Sequence, residues 1–309
     1  MFFTWDDVVQ ISREIRKMPR EELDEELRGW NWGSSVLAST RKALLGISDI
    51  TSGFCETGRD VYLRYNLKIR ERDNPMLQNG RLIHDIFGKA IEKAKYLIYA
   101  HNGELDGEIM YQEMMDNITN IWQEIENKYT LLSKEHTEWI LKKLWSEAAR
   151  TYSSALDKVK SRSPYLKVES LVSATIPITT EFPINGEYIG LSRTLRIDAL
   201  LYPGILVEIK TRQQKPTFDL ALAGYALAFE SQYEIPVDHG ILLYIHIDWK
   251  NKKIYTRPEI VPISAKLRTE FIELRDERKN IIIYNQDPGL PQKCSPECPF
   301  LYYCRGETQ

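Results

Sequence analysis

The spacing of apolar positions changes character along the chain, from helical at the start to alternating in the second half. Up to residue 50 the pattern is charged and helical, interrupted by a tryptophan-rich joint at GWNWGSS. In SDITSGFCETGRDVYLRYNLKIRER, Ser52 is placed to cap a helix that carries Cys55 near its first turn. The run DNPMLQNG reads as a turn before a helix from about Arg81, on which Ile83, Phe87, Ala90, Ala94 and Ile98 recur at helical spacing. Residues 102–160 continue polar and helical, without obvious chemistry. Near residue 166 the texture turns β-branched. LVSATIPITTEFPI and EYIGLSRTLRIDALLY read as strands joined by Asn185-Gly186, a hairpin turn signal. ILVEIKT, after Pro203-Gly204, predicts a third strand, and TFDLALAGYALAFESQY a helix. GILLYIHIDWKNKKIYTRPEI predicts one or two further strands, with Ile245, Ile247 and Trp249 on a buried face and His246 and Asp248 on the other. Residues 261–284 form a last helix, which DPGLPQ breaks. The pattern is that of a mixed α/β core embedded in helices, with no internal repeat and no low-complexity stretch.

Composition narrows the partners more than the fold. Of 309 residues, 43% are hydrophobic and 28% charged, an ordinary globular balance that excludes a disordered or fibrous chain. The net charge is −3, from 41 Lys and Arg against 44 Asp and Glu, so the protein is no general polycation. Nucleic-acid contact then requires a local basic surface. Arg59, Arg64, Lys68, Arg70 and Arg72, with Tyr62 and Tyr65 between them, read as a solvated helix face or as a phosphate-contacting helix; Glu56, Asp60 and Glu71 dilute the charge and favour the former. No window of eighteen consecutive apolar residues offers a spanning helix. Two aspartates in MFFTWDDVVQ stand where a signal peptide is basic. The expectation is a soluble cytoplasmic protein without a membrane partner.

Two constellations carry candidate chemistry. In IDALLYPGILVEIK, Glu208 and Lys210 share one strand face, and an odd connecting loop would set Asp198 directly opposite Glu208. Facing carboxylates repel unless a cation lies between them, and such oxygen ligands suit Mg²⁺ or Mn²⁺. An even loop would turn Asp198 to the far face, and a salt-bridge ladder is the plain alternative. His84, near the start of a packed helix, is either a structural residue or an imidazole ligand completing that site. The second constellation is C-x3-C-x5-C at Cys294, Cys298 and Cys304, with a fourth thiol far away at Cys55. Zinc knuckles use two close C-x2-C pairs. Four thiolates suit a four-iron, four-sulfur cluster, and four-cysteine zinc remains open beside it. Either metal would join the beginning of the chain to its end, a structural service.

Together these pieces resemble the RecB-type nucleases of the PD-(D/E)xK superfamily. Within it they are similar to the CRISPR-associated iron–sulfur exonucleases, the archaeal Csa-one branch of the Cas-four group. Cys55 and CETGRDVYL resemble the C-x3-R-x2-Y-L helix, and Gly80 to His84 the G-x3-H motif. IDALL with Asp198 and VEIK with Glu208 and Lys210 resemble the two acidic strands, Tyr225 the tyrosine of a Q-x3-Y helix, and the last three cysteines the closing cluster ligands. The resemblance implies a restriction-endonuclease-like mixed sheet core. On that basis residues 1–83 are an N-terminal helical region with the first cluster cysteine, 84–165 an inserted helical region, 166–260 the nuclease core, and 261–309 the C-terminal helix and cysteine cluster. It implies His84, Asp198 and Glu208 as Mn²⁺ or Mg²⁺ ligands, Lys210 as the catalytic lysine and Tyr225 as a supporting residue. It also implies Cys55, Cys294, Cys298 and Cys304 around a 4Fe–4S cluster. The expected activity is cleavage of DNA from ends, chiefly on single strands, to prepare fragments for CRISPR arrays alongside adaptation proteins. The expected strand contacts are the Arg59–Arg72 helix and the Lys210, Arg212, Lys215 edge. Three departures bear on rate and substrate range: Ala221 stands where the family has glutamine, C-x3-C replaces C-x2-C, and the stretch from His84 to Asp198 is long. Two competing readings are a weakly active or inactive DNA-binding scaffold of an integration complex and a zinc-bound helical adaptor.

Overall fold

The computed structural model describes residues 1–19 and 21–307. Helices α1 (Trp5–Ile15), α2 (Ile47–Thr51), α3 (Arg59–Tyr65), α4 (Pro75–Ala100), α5 (Gly107–Asp116), α6 (Ile118–Ile125), α7 (Lys134–Arg162) and α8 (Val168–Thr175) precede the sheet. Then follow β1 (Ile178–Ile184), β2 (Leu195–Leu201), β3 (Ile205–Lys210), α9 (Thr217–Tyr233), β4 (His239–Asp248), β5 (Lys253–Pro262), α10 (Ala265–Ile283) and α11 (Leu301–Cys304). The five strands lie in sequence order in one mixed sheet. Only β3 and β4 pair in parallel, and α9 supplies the crossover that a parallel pair requires. No described helix is long and apolar enough to cross a membrane.

The sheet separates two cores. On one side the α4 stripe of Ile83, Phe87, Ala90, Ala94 and Ile98, continued by Leu82 and Ile86, packs with α7 against Val207, Ile209, Ile241 and Ile245. On the other, α9 and α10 cover Leu206 and Leu242. The central β4 is apolar on both faces for this reason, with Ile241, Leu243 and Ile245 on one side and Leu242 and Tyr244 on the other.

Several local expectations change for identifiable reasons. The helix expected from Arg81 begins at Pro75: Asn74 caps it by accepting the Leu77 N–H at 2.9 Å, and Pro75 occupies the first position, where no N–H is needed. Ser52 ends α2 and does not open a helix, and Cys55 lies in the turn before α3. LVSAT is the helix α8, not strand. Asn185-Gly186 makes no two-residue hairpin. Gly186 has φ −92°, outside the left-handed region such a turn needs, and residues 185–194 run out to pair Leu191 with Leu45 before β2 begins.

One buried carboxylate ties the N-terminal segment to the crossover helix. Glu230 of α9 has no solvent exposure. It takes two bonds from the Arg268 guanidinium (2.7 and 2.8 Å) and one each from Arg28 Nη1, Gly29 N–H and Val237 N–H, all 2.9 Å. Gly29 is required there, since a Cβ would stand 2.1 Å from the Leu227 carbonyl oxygen. A buried pair relieved of one partner leaves an uncompensated charge. Glu230→Ala is therefore expected to cost about 3–5 kcal/mol of unfolding free energy, read from the urea midpoint, whereas Glu25→Ala on the exposed rim should change it by less than about 1 kcal/mol.

Candidate functional site

The connection from β2 to β3 is Tyr202, Pro203 and Gly204, an odd number of residues. Leu201, Leu200 and Ala199 pair with Ile205, Leu206 and Val207, and the next step of that register sets Asp198 opposite Glu208. Lys210 follows on the Glu208 face, with its Nζ 2.7 Å from Glu208 Oε1 and 4.8 Å from the Phe218 ring centroid. His84 arrives from the third turn of α4, its Nδ1 3.3 Å from Asp198 Oδ1. The Ile209 N–H donates to Asp198 Oδ2 at 2.7 Å. The structure thus brings His84, Asp198, Glu208 and Lys210 together. Tyr225, on α9, is half-buried. Burial first, then the charges of Glu208, Asp198 and Glu181, push its hydroxyl well above the usual tyrosine range. Ala221, one turn earlier, is buried and apolar.

The electrostatics are those of a crowded anionic site. Burial and the facing Asp198 push Glu208 up to about 7, against the pull of Lys210. Burial works against ionised Asp198 too, but His84, the Ile209 N–H and Lys210 prevail and hold it below the usual range. Burial opposes a charge on His84, yet Asp198 and Glu208 raise it to about 9. Glu208 Oε2 is buried and has no hydrogen-bond partner. An unpartnered carboxylate oxygen beside a second carboxylate and an imidazole is a donor set that suits a hard divalent cation.

One acid escaped the sequence reading. Thr180 pairs with Ala199 and Phe182 with Ile197, so Glu181 stands across from Asp198 in register. Among the described residues, His84, Glu181 and Asp198 are the one set of three metal-ligating groups with ligand atoms all within 4.8 Å of one another. The signal was a lone glutamate in the strand ITTEFPI; the long β1–β2 connection hid its register.

His84 and Gly80 line two adjoining cavities. The smaller, about 330 Å³, holds Glu208, Lys210 and Arg212 with Phe54 and Asp60. The larger is a groove of about 930 Å³ between α4 and β1, bordered by Arg81, Lys89, Lys95, Lys128, Glu181 and Arg196. The expected basic helix is differently employed. Arg59 pairs with Asp287, Arg64 with Asp49 and Glu71, and Arg72 with Glu307, so α3 and its extension form a seam to the chain's end. Arg212 and Lys215 reach Glu297, between Cys294 and Cys298, and donate to the carbonyls of Ser52 and Gly53.

All four cysteines are free thiols and line one pocket with Phe54, Leu63, Pro291 and Phe300. Burial pushes Cys298 up to about 12, with Asp60, Cys55 and Cys304 adding to it. Cys304 is raised by burial and by its fellow thiols, with Arg59 opposing. Thiols so placed deprotonate readily only around a cation. No three of them come within 4.8 Å of one another. A tetrahedral zinc ion with bonds of about 2.3 Å would draw the sulfurs to roughly 3.8 Å. The four thiols lining one pocket are a donor set for either a single zinc ion or an iron–sulfur cluster.

Comparison with known proteins agrees across the chain. Residues 1–307 match the family model described as CRISPR-associated exonuclease Csa1. A protein of that name from Saccharolobus solfataricus is 36% identical over 305 residues, covering 98% of this chain and 99% of the relative. Another, from Thermoproteus tenax, is 27% identical over 303 residues, covering 96% and 99%. The crystal structure of SSO0001 aligns with 72% of this chain and 98% of its own at 17% identity, with a TM-score of 0.27 that carries no argument.

The geometry predicts that a divalent ion stabilises the fold through this site. Mn²⁺ at about one hundred times its dissociation constant should add about 2.7 kcal/mol to unfolding, measured by chemical denaturation with and without the ion. Asp198→Ala should lose that gain.

Proposed function

The chain belongs to the family of CRISPR-associated exonucleases Csa1, and from that membership we propose that it is a DNA nuclease working at the His84, Asp198, Glu208 and Lys210 site. The single observation that carries this reading is the register that sets Asp198 opposite Glu208 with Lys210 alongside. In this proposal the five-stranded mixed sheet with its flanking helices is a RecB-type core. His84, Asp198 and Glu208 hold Mg²⁺ or Mn²⁺. When bound, such an ion polarises a phosphoryl oxygen and lowers the pKa of water. Lys210, steadied by Glu208 and the face of Phe218, places an ammonium where negative charge grows on the phosphate as a P–O bond to water forms and the bridging P–O bond breaks. Asp198 keeps His84 oriented, and the Ile209 N–H keeps Asp198 oriented.

The strand path in this reading is the groove between α4 and β1. Its cations all have partners in the free protein: Arg81 with Asp73, Lys89 with Glu124, Lys128 with Asp85, Arg196 with Glu181, and Lys95 with the Ile178 carbonyl. Ion pairs on an exposed rim contribute about 0–1 kcal/mol, so phosphates can replace those acids. In this proposal the groove takes a flexible single strand and the fragments trimmed at their ends go to CRISPR spacer acquisition; the family name, CRISPR-associated exonuclease, supports the CRISPR link and action on ends. The cysteine pocket takes a 4Fe–4S cluster that fastens residues 55–72 to the C-terminal end. Ala221, which brings no polar group to the site, favours a second reading as a slow or inactive DNA-binding subunit.

Two measurements test these proposals. With Mn²⁺, wild type should shorten end-labelled single-stranded DNA faster than duplex, and Lys210→Ala should be at least about 100-fold slower. Equal rates in the two proteins would remove Lys210 from the site, and a wild type that binds DNA without cutting would establish the second reading. Protein purified without oxygen should be brown, with iron and sulfide in equal amounts, and Cys298→Ser should lose the colour. A colourless preparation with stoichiometric zinc would overturn the cluster.

A further inference from the structure

Resting on the nuclease reading of the site, we infer that Glu181 is a further ligand of the divalent cation, supplied by edge strand β1. The registers line up three carboxylates across three neighbouring strands: Glu181 on β1, Asp198 on β2 and Glu208 on β3. Each outer acid has one cation near it. Lys210 is 2.7 Å from Glu208, and Arg196 is 3.6 Å from Glu181, both of the latter side chains being at least half exposed. The centre of the row is met by His84. Ligand atoms of His84, Glu181 and Asp198 already lie within 4.8 Å of one another. Two donors bound to one small divalent ion at about 2.1 Å are about 4.2 Å apart across the ion and about 3.0 Å apart at right angles, so side-chain movement of at most about 2 Å brings all three onto it. Glu208, with more than nine-tenths of its surface buried, keeps Oε2 without a partner in the cavity that His84 also lines. The row therefore offers oxygen on both sides of Asp198, with imidazole between.

The local backbone shows why this acid is there to be used. Glu181 has φ +50°, a left-handed conformation that glycine or asparagine adopts with less strain. It falls where the two strands change cores. Ile178, Ala199 and Leu201 pack on the α4 side, whereas Phe182, Ile184, Leu195 and Ile197 pack on the α9 side. The switch alone would be served by glycine. A glutamate at that point puts a carboxylate at the mouth of the groove, beside His84.

Calorimetric titration of Mn²⁺ into wild type, Glu181→Gln, Glu181→Gly and Asp198→Ala tests the assignment without relying on turnover. Both Glu181 variants should bind Mn²⁺ at least about tenfold more weakly, the loss expected even for partners outside the ligand shell. Glu181→Gly, which frees the strained backbone, should melt no lower than wild type without metal, so that weak binding in it cannot be laid to misfolding. Wild-type affinity in both Glu181 variants, with affinity lost in Asp198→Ala, would overturn the role of Glu181 and leave the nuclease site standing. A wild type that takes up no Mn²⁺, together with unimpaired cleavage by Asp198→Ala, would overturn both.

Discussion

Two carboxylates held face to face across β2 and β3 are the constraint around which this molecule is arranged. Burial first, and then the repulsion of Asp198, act against a charge on Glu208, which rises to about 7. Three neighbours answer that repulsion. Lys210 lies against one carboxylate, His84 against the other, and the Ile209 N–H holds the inner oxygen of Asp198. Each of these groups depends on an element packed for other reasons. The apolar stripe of α4 fixes the turn that delivers His84, and α9, required by the parallel β3–β4 pair, delivers Phe218 and Tyr225. Folding energy from the two cores is what keeps like charges together.

The beginning and end of the chain meet around the same place. Thr57 donates to the Gly289 carbonyl, the Arg72 N–H to the Pro299 carbonyl, and the Tyr302 hydroxyl to the Arg70 carbonyl. Buried cations of α10 reinforce the seam. Arg275 donates to the carbonyls of Leu37 and Ile189, Lys279 to those of Thr40 and Gly190, and Arg278 to that of Glu56. Phe54 and Asp60 line both the cysteine pocket and the cavity of Glu208 and Lys210. Arg212 and Lys215, just beyond Lys210, pair with Glu297 inside the cysteine-bearing loop. Whatever braces the four thiols thereby braces one wall of the proposed active site, a mechanical link that requires no redox step.

Much of this was legible before any coordinates, and the reason is local. Strand alternation puts Glu208 and Lys210 on one face whatever surrounds them, but the parity of the connection was open: a strand running to Tyr202 leaves two residues before Ile205, and only the pairing of Leu201 with Ile205 makes it three. Helical spacing in α4 and the apolar run of α9 likewise need no partner to be recognised. The Asn74-Pro75 pair was misread as a turn because the same two residues serve turns and helix starts, and only the following apolar stripe decides between them.

Tertiary structure decided what pairs with what. Asn185-Gly186 carries the chemistry of a tight hairpin, yet Leu45 draws the β1–β2 connection outward, and no local preference encodes a partner so distant. The arginines of α3 and the segment after it look available for phosphates until Asp287 and Glu307, more than two hundred residues away, claim Arg59 and Arg72. Glu181 reads as one more strand residue until β1 is laid against β2. Periodicity and turn chemistry are properties of a few consecutive residues, so the amino-acid order alone determines which side chains share a face. Charge partners and cross-strand neighbours are properties of chain segments far apart, and only the packed molecule brings them within the few ångströms over which carboxylates, ammonium groups and thiols act on one another.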